Sequence, residues 1–335
     1  MASRTRRVSI VVLNYNGLED TLRCLESLRD LADPADVILV DNGSRVNPVA
    51  EATRTFPGLQ VIETGENLGY AGGNNRGIRY AIERGAEYIL ILNNDTVVAP
   101  SIVHALLGAF DADPKLGVVG PVVNFMDERD AVMTDGVAFN PGPGTEFFRR
   151  IVVPVDATAA VVPVDIVNGC CMMLSADLVA RVGMFDEQFF IVHEESDLCL
   201  RALRAGFGCA VLGQSLVWHK GSSAFERSGR ELQRYFDARN LHHLLARHTG
   251  HVAKSRPWRS TLLHYLRYAF YRYDIELEAG KPAAAKAVVD GLYDGFTNRY
   301  GPYARTRRAG RAVVSAAFAG ARRLAHARRG PTESS

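Results

Sequence analysis

Three short apolar runs, each ending in a cluster of amides and carboxylates, constrain this chain more than any other feature. Val8 to Leu13 runs into Asn14-Tyr15-Asn16, Val37 to Val40 into Asp41-Asn42-Gly43-Ser44, and Tyr88 to Leu92 into Asn93-Asn94-Asp95. A continuous apolar run marks a parallel strand covered on both faces. Between the runs lie segments with helical spacing. Leu18 to Leu31 is one, with Leu18, Leu22, Leu25 and Leu28 on a single stripe; Val49 to Phe56 and Asn74 to Arg84 are others, and Leu59 to Ile62 reads as a further strand. This β-α-β-α rhythm predicts an α/β fold on a mixed, mostly parallel sheet. Ligands of such sheets bind outside the carboxyl ends of the strands. The three polar clusters are therefore expected to meet on one edge.

After residue 110 the rhythm breaks at Pro114, Gly117, Gly120 and Pro121. Residues 140–165 read as loops and edge strands, Ala176 to Val182 and Glu194 to Ala205 as helices, and Ala210 to Val217 as a strand. From about residue 228 the pattern is helical, over Tyr235 to His248, Leu262 to Tyr273 and 283–296. The expected organisation is 1–110 and 111–227 as two halves of one domain, then a helical extension over 228–335 with a basic tail. A 335-residue chain that is 47% hydrophobic can bury a sizeable core. Its 23% charged residues and net charge of +2 give no sign of disorder or of a nucleic-acid partner. No run reaches the roughly 18 apolar residues of a membrane span, and no apolar region follows the basic N-terminus as in a secretory signal. Five cysteines without a CxxC pair predict reduced, buried thiols in a cytoplasmic protein.

Several constellations can carry chemistry. Asp41 can accept a hydrogen bond from a pyrimidine base, although Asp-Asn-Gly-Ser is also good turn chemistry. The stretch from Gly65 to Gly77 opens a helix with glycines and amides. Backbone N–H groups at a helix start suit a diphosphate; a flexible surface loop is the plainer reading. It matches neither the GxGxxG fingerprint nor the Walker A pattern, which disfavours a dinucleotide fold and a P-loop. Asp95 can hold Mg2+ or Mn2+, hard cations that often keep only one or two protein carboxylates. Glu194, Glu195 and Asp197 crowd one helix start. They either complement the helix dipole or include a general base for an acceptor hydroxyl. Glu194 and Asp197 share a face, whereas Glu195 points elsewhere, toward a cleft. Trp218 and His219 follow a strand, and beside a carboxylate-metal site His219 becomes a candidate ligand that favours Mn2+. His242 and His243, on a leucine-rich helix, read as structural. No serine has the setting of a nucleophile elbow.

In order, VVLNYNG, DNGS, NLGYAGGNNRG, LNNDT, EESDLCLRALRAG and VWHK resemble the family 2 inverting glycosyltransferases, and among them the bacterial rhamnosyltransferase-type enzymes. The resemblance covers residues 6–250, and the ordered set makes it specific. It implies a Rossmann-like nucleotide-sugar fold of the glycosyltransferase A type, with 1–110 as the nucleotide-sugar half and 111–227 as the acceptor and catalytic half. It implies that Tyr15, Asn16 and Asp41 serve the nucleotide, and that Asn67, Gly69 and Asn74 line the donor. Asn94 and Asp95 would occupy the metal and diphosphate position, with His219 completing the metal site. Gly169, Cys170 and Trp218 would border the acceptor. Glu195 would be the catalytic base, with Glu194 beside it. Two departures stand out. The metal motif reads Asn-Asn-Asp where the family has Asp-x-Asp, and the base motif reads Glu-Glu where the family has Glu-Asp.

The reaction so implied is a single displacement. A sugar, rhamnose among the candidates, would pass from a dTDP, UDP or GDP donor to a hydroxyl of a saccharide or lipid-linked acceptor, in cell-surface polysaccharide or glycolipid assembly. A nucleotidyltransferase would also use an α/β nucleotide-binding half, but needs a basic, Gly-rich signature that VVLNYNG lacks. A non-catalytic sugar-nucleotide or polysaccharide-binding module would not need the acidic pair and His219. The tail after Tyr303 carries Arg305, Arg307, Arg308, Arg311, Arg322, Arg323, Arg328 and Arg329, with Val314, Phe318, Ala321 and Ala325 at helical spacing. Such a helix can lie on an anionic membrane surface, here the inner face of the plasma membrane. The other reading is a solvated helix or one that joins a homo-oligomer.

Overall fold

The computed structural model describes residues 6–141, 146–155, 160–221, 230–252, 258–304 and 309–329. The chain divides into two compact units. One comprises Met1–Asn140 with Phe148–Ser223, the other Pro141–Phe147 with Ala224–Ser335.

The first unit is built on a sheet whose central strands are the apolar runs. These are β1 (Val8–Asn14), β2 (Asp36–Asp41), β3 (Gln60–Glu63) and β4 (Tyr88–Asn93), in the order β3-β2-β1-β4, all parallel. Strand order reverses at β1, so the crevice between the ends of β1 and β4 is the place where open sheets bind ligands. The register brings Asn14 opposite Asp41 and Leu13 opposite Asn93, so the three polar clusters do converge. Beyond β4 the sheet turns mixed. β11 (Cys171–Ser175) runs antiparallel between β4 and β6 (Leu116–Phe125), and β12 (Gly208–His219) is parallel to β6. The edge carries β10 (Val161–Pro163), while β5 (Thr96–Val98) pairs with the end of β12 and β7 (Val132–Thr134) with β6. A separate hairpin joins β8 (Gly136–Phe139) to β9 (Phe148–Ile151).

Alternate residues of β1 face opposite layers, as the pleat requires. Ile10 and Val12 pack in one core with Leu25 of α1 (Leu18–Ser27), with Leu28 just after it, and with Ile102 and Leu106 of α4 (Ile102–Ala112). Val11 and Leu13 face α3 (Gly69–Glu83) instead. That helix begins five residues before the predicted Asn74, so Tyr-Ala-Gly-Gly-Asn-Asn lies inside it. Glycine costs a helix about 1 kcal/mol relative to alanine, which is why this stretch reads as a loop. Packing overrides the propensity. A side chain on Gly73 would strike Leu13, and one on Gly77 would strike Val11; the glycines let the helix lie directly on β1. Between these elements run α2 (Val49–Thr55) and α5 (Ala176–Val182), and α6 (Glu194–Arg204) starts at the acidic cluster. All five cysteines are buried, free thiols.

The second unit contains α7 (Arg230–Val252), α8 (Trp258–Glu278), α9 (Pro282–Phe296) and α10 (Ala309–Arg329). Proline at the start of α9 suits a position whose N–H has no helical partner. Charge is buried here in matched pairs. Arg234 meets Glu276, and Arg311 meets Asp290 and Asp294. His242 packs on Phe296, ring centroids 4.6 Å apart, and burial pushes its imidazole below the ordinary value, as expected of a structural histidine. Arg305, Arg307 and Arg308 lie outside the described residues, as do the side chains of Ala325, Arg328 and Arg329. Among the described residues no helix is long and apolar enough to cross a membrane.

Candidate active site

The three strand ends are tied into one network by Asn14, which sequence reasoning placed on the edge but not in the site. Its Nδ2 donates to Asp41 Oδ1 at 2.9 Å and to Ser44 Oγ at 3.0 Å. Its Oδ1 accepts from Thr21 Oγ1 at 2.9 Å, and Asn94 Nδ2 donates to the same hydroxyl at 2.8 Å. Asp41 is buried, and its second oxygen accepts from the Ser44 N–H. Tyr15 is 43% exposed, a ring left open to stack on a flat partner. Asn16 sits at φ 55° and is clamped to the next strand end, accepting from the Arg45 N–H at 2.8 Å. Tyr15 and Asp41 thus stand at the mouths of adjacent strands.

The segment expected to line a donor is used differently. Asn67 Oδ1 accepts from the Gly69 N–H at 2.9 Å and so caps the start of α3. Asn42 holds the same loop from below, donating to Asn67 Oδ1 and to the Gly69 carbonyl and accepting from the Leu68 N–H. The Ala71 N–H goes to the Phe190 carbonyl at 3.1 Å. N–H groups that a diphosphate would have used are therefore engaged within the protein. Asn74 is fully buried and donates to the Tyr70 carbonyl. It sits within the helix, which begins a full turn earlier than its sequence indicates. Gly69, at φ +75°, is pressed against Phe190.

Asp95 and His219 lie 124 residues apart and meet. Pairing of β12 with β5 puts His219 opposite Thr96, and His219 Nε2 lies 2.9 Å from Asp95 Oδ1. Both side chains are largely buried. Lys220 follows, its Nζ 3.0 Å from Asp20 Oδ1. Trp218 donates its indole N–H to the Arg129 carbonyl at 3.2 Å, and the Arg129 guanidinium lies 4.9 Å above its ring. One imidazole nitrogen and one carboxylate oxygen form a partial coordination set. No third His, Cys, Asp or Glu joins them among the described residues. Divalent cations that share phosphate oxygens and water commonly take only one or two protein ligands, so the pair fits a cation held jointly with a bound diphosphate.

Glu195, in the first turn of α6, lies against the loop that precedes β11. It packs on Gly169, where an added Cβ would lie 3.4 Å from Glu195 Cβ. The Gly169 carbonyl accepts from Tyr70 Oη at 2.6 Å. The next residue, Cys170, feels both centres: burial above all, then the charge of Asp95 and less strongly that of Glu195, pushes its thiol up. Its carbonyl accepts from the Asn93 N–H at 2.8 Å. Residues 169–170 thus lie within reach of the charges of both Asp95 and Glu195. Glu194 and Glu195 are not equivalent. Glu195 is half-buried and accepts from Ser196 Oγ at 3.1 Å. Glu194 is buried, and burial together with the charge of Glu195 pushes its carboxyl well above the ordinary range. Asp197 is fully buried and bound to Arg201 at 2.7 Å.

The approach to α6 is strained. Phe190, Val192 and His193 have φ of 65°, 74° and 72°. Each such residue costs about 1–3 kcal/mol, and such residues cluster at functional sites. Neither this strain nor the hydroxyl of Tyr70 was legible from composition or spacing. Phe and Val are not residues that advertise positive φ, and a lone His, though more tolerant of it, does not signal one.

Comparison with known proteins adds a family. The model for glycosyl transferase family 2 matches residues 9–160, and that for glycosyl transferase family group 2 matches residues 88–276. The low-salt glycan biosynthesis hexosyltransferase Agl10 of Haloferax volcanii is 28% identical over 242 residues, 70% of this chain and 73% of that protein. The N-acetylglucosaminyl-diphospho-decaprenol L-rhamnosyltransferase of Mycobacterium tuberculosis is 26% identical over 283 residues, 77% of this chain and 88% of that one. Among solved structures, a mannosyltransferase from Pyrobaculum calidifontis in complex with GDP-Man and Mn2+ superposes with a TM-score of 0.54 at 18% identity, covering 96% of this chain and 81% of that one. GalNAc-T7 with UDP, GalNAc and Mn2+ gives 0.54 at 14% identity, covering 84% and 59%. These likenesses carry the fold, a glycosyltransferase A type α/β architecture. With the two family models together spanning residues 9–276, the chain belongs to glycosyl transferase family 2.

Proposed function

We propose that this family 2 enzyme, an inverting glycosyltransferase, uses Glu195 as its base and Asp95 with His219 as its metal pair. One observation carries the reading: residues 169–170 lie near both groups, with Glu195 packed on Gly169 and the charge of Asp95, which His219 meets at 2.9 Å, felt at Cys170. A base and a cation site meeting at one short loop are what a single displacement needs. Glu195 takes the acceptor hydroxyl proton. The acceptor oxygen bonds to the anomeric carbon as the bond to the diphosphate oxygen breaks, and that oxygen leaves with the electron pair. Attack from the opposite face inverts the configuration. Asp95 and His219 would hold the divalent cation, which when bound supplies positive charge to the leaving diphosphate. Tyr15 and Asp41 serve the base of the nucleotide.

Relatives named for rhamnosyl transfer, including the dTDP-rhamnosyl transferase RfbF of Shigella flexneri, favour dTDP-rhamnose as donor. The decaprenol-linked acceptor in one of those names favours a lipid-linked acceptor here, reached by a protein resting on the membrane surface through α10. The test is Glu195→Gln, which keeps size and removes the base. Transfer should fall about 10²–10⁴-fold while donor binding persists; turnover near that of the wild type would refute the assignment.

A further inference from the structure

We propose that Asn75 is a positioning residue for the reaction: its side chain clasps the segment that delivers Glu195. The inference rests on the reading of Glu195 as the base. Asn75 lies on α3, is 2% exposed, and spends its amide on one short segment, residues 185–187. Oδ1 accepts from the Phe185 N–H at 3.1 Å, and Nδ2 donates to the Phe185 carbonyl at 2.9 Å and to Glu187 Oε1 at 3.0 Å. One side chain thus pairs with both backbone groups of Phe185, as a neighbouring strand would. Only a carboxamide can make all three bonds, since it offers two N–H donors and an acceptor oxygen in one plane.

The same helix grips the segment again further on. The Ala71 N–H holds the Phe190 carbonyl at 3.1 Å, and Gly69 is pressed against Phe190. Tyr70 meets the Phe185 ring edge-on, centroids 6.0 Å apart. Between this clasp and Glu195 lie the three positive-φ residues. Phe190, at φ 65° and ψ −60°, forms a γ-turn closed by Ile191 N–H to the Phe189 carbonyl at 2.8 Å. A turn of this hand is rare and strained. His193, the last residue before α6, stacks on Phe148 at 5.0 Å and 16°. Strained backbone persists only where its surroundings over-determine it. Here Asn75 and Ala71 hold the start of the segment and Phe148 its end. The helix whose glycines seat it on β1 therefore also sets where α6 begins, and the donor edge and the base become one rigid body.

The test measures transfer by the full chain, with kcat and donor KM determined separately. Asn75→Asp replaces the N–H donors by an oxygen facing the Phe185 carbonyl and the Glu187 carboxylate. Because misplacement by about 1 Å can cost 10²-fold in rate, kcat should fall about tenfold or more while donor KM stays within about twofold. Tyr15, Asp41 and Asp95 are untouched. Adding Glu187→Gln supplies an amide N–H to the new carboxylate and should recover most of the lost kcat. Glu187→Lys, at an exposed position, should lower kcat in the same sense, and decides the matter alone if Asn75→Asp does not fold. Unchanged kcat in these variants, or a loss that follows only the amount of folded protein, overturns the clasp. Glu195→Gln in the same assay separates the two claims. If it is inactive while the Asn75 and Glu187 variants are normal, the clasp alone fails. If it is fully active, the base reading fails and the clasp loses its object.

Discussion

Glu194 and Glu195 carry the same carboxyl group one position apart at the start of α6, and burial separates them. Both could be read in the sequence as bases or as charges for the helix dipole. Only packing distinguishes them: Glu195 stands half-exposed against Gly169, whereas Glu194 is buried with Oε2 lacking a hydrogen-bond partner. Removing water from Glu194 disfavours its ionised form, and the nearby charge of Glu195 adds to that. The sign follows by linkage. A carboxyl whose folded pKa lies above its unfolded value of 4.5 holds a proton that the unfolded chain has already released. Its contribution to stability is complete below pH about 4.5 and is lost as pH rises toward the folded value, by at most about 1.4 kcal/mol per pH unit. Glu194→Gln removes that slope. Denaturant unfolding from pH 4.5 upward should show the variant gaining on the wild type as pH rises. Parallel curves would mean that Glu194 is solvated enough to ionise freely.

Elements were legible where their signal is local. The buried parallel strands appear as unbroken apolar runs, and their ends could be placed within about a residue. α3 was not, because its first turns are written in glycine and asparagine. Its reason for being helical is the fit of Gly73 and Gly77 onto Leu13 and Val11, a contact with no trace in local propensity. The same limit hid the clasp, since Asn75 and Phe185 lie 110 residues apart. It hid the meeting of Asp95 and His219 less completely, because both stand at strand ends. The close fit predicts an outcome opposite to that expected from helix propensity. Gly77→Ala should stabilise an exposed helix by about 1 kcal/mol. Here the added Cβ strikes Val11 and lies 3.1 Å from Val40, and overpacking of this kind costs about 1–3 kcal/mol. A lowered melting temperature is expected; a raised one would mean that α3 can lift off β1 without penalty.

At the scale of the molecule, the sequence pattern of α10 admits two readings, a surface helix for membranes or a solvated or oligomer-forming one, and the described side chains bear on the choice. Phe318 packs inward on Phe270 and Tyr273, and Arg322 pairs with Asp274 at 2.6 Å. The outward face is apolar instead of polar. Val313 is 70% and Leu324 67% exposed, with Ala316, Ala317 and Ala321 also exposed between them. The helix has no acidic residue, and exposed Arg323 lies beside this face. Apolar area that enters the headgroup region and arginines that meet anionic lipid act together, each arginine adding about 1 kcal/mol near such a surface. Removing residues 304–335 would be a poor test. It takes away Arg311, which is 4% exposed and pairs with Asp290 and Asp294, and stripping the partner from a buried ion pair costs about 3–5 kcal/mol. Val313→Asp combined with Leu324→Asp alters only exposed positions. Sedimentation with phosphatidylglycerol vesicles should then show binding weakened about tenfold or more, given roughly 1.5–3 kcal/mol for each such side chain fully buried. Melting temperature and transfer to a water-soluble acceptor should be unchanged. Equal vesicle binding by wild type and variant would remove α10 from the membrane surface and leave it as a solvated or oligomer-forming helix.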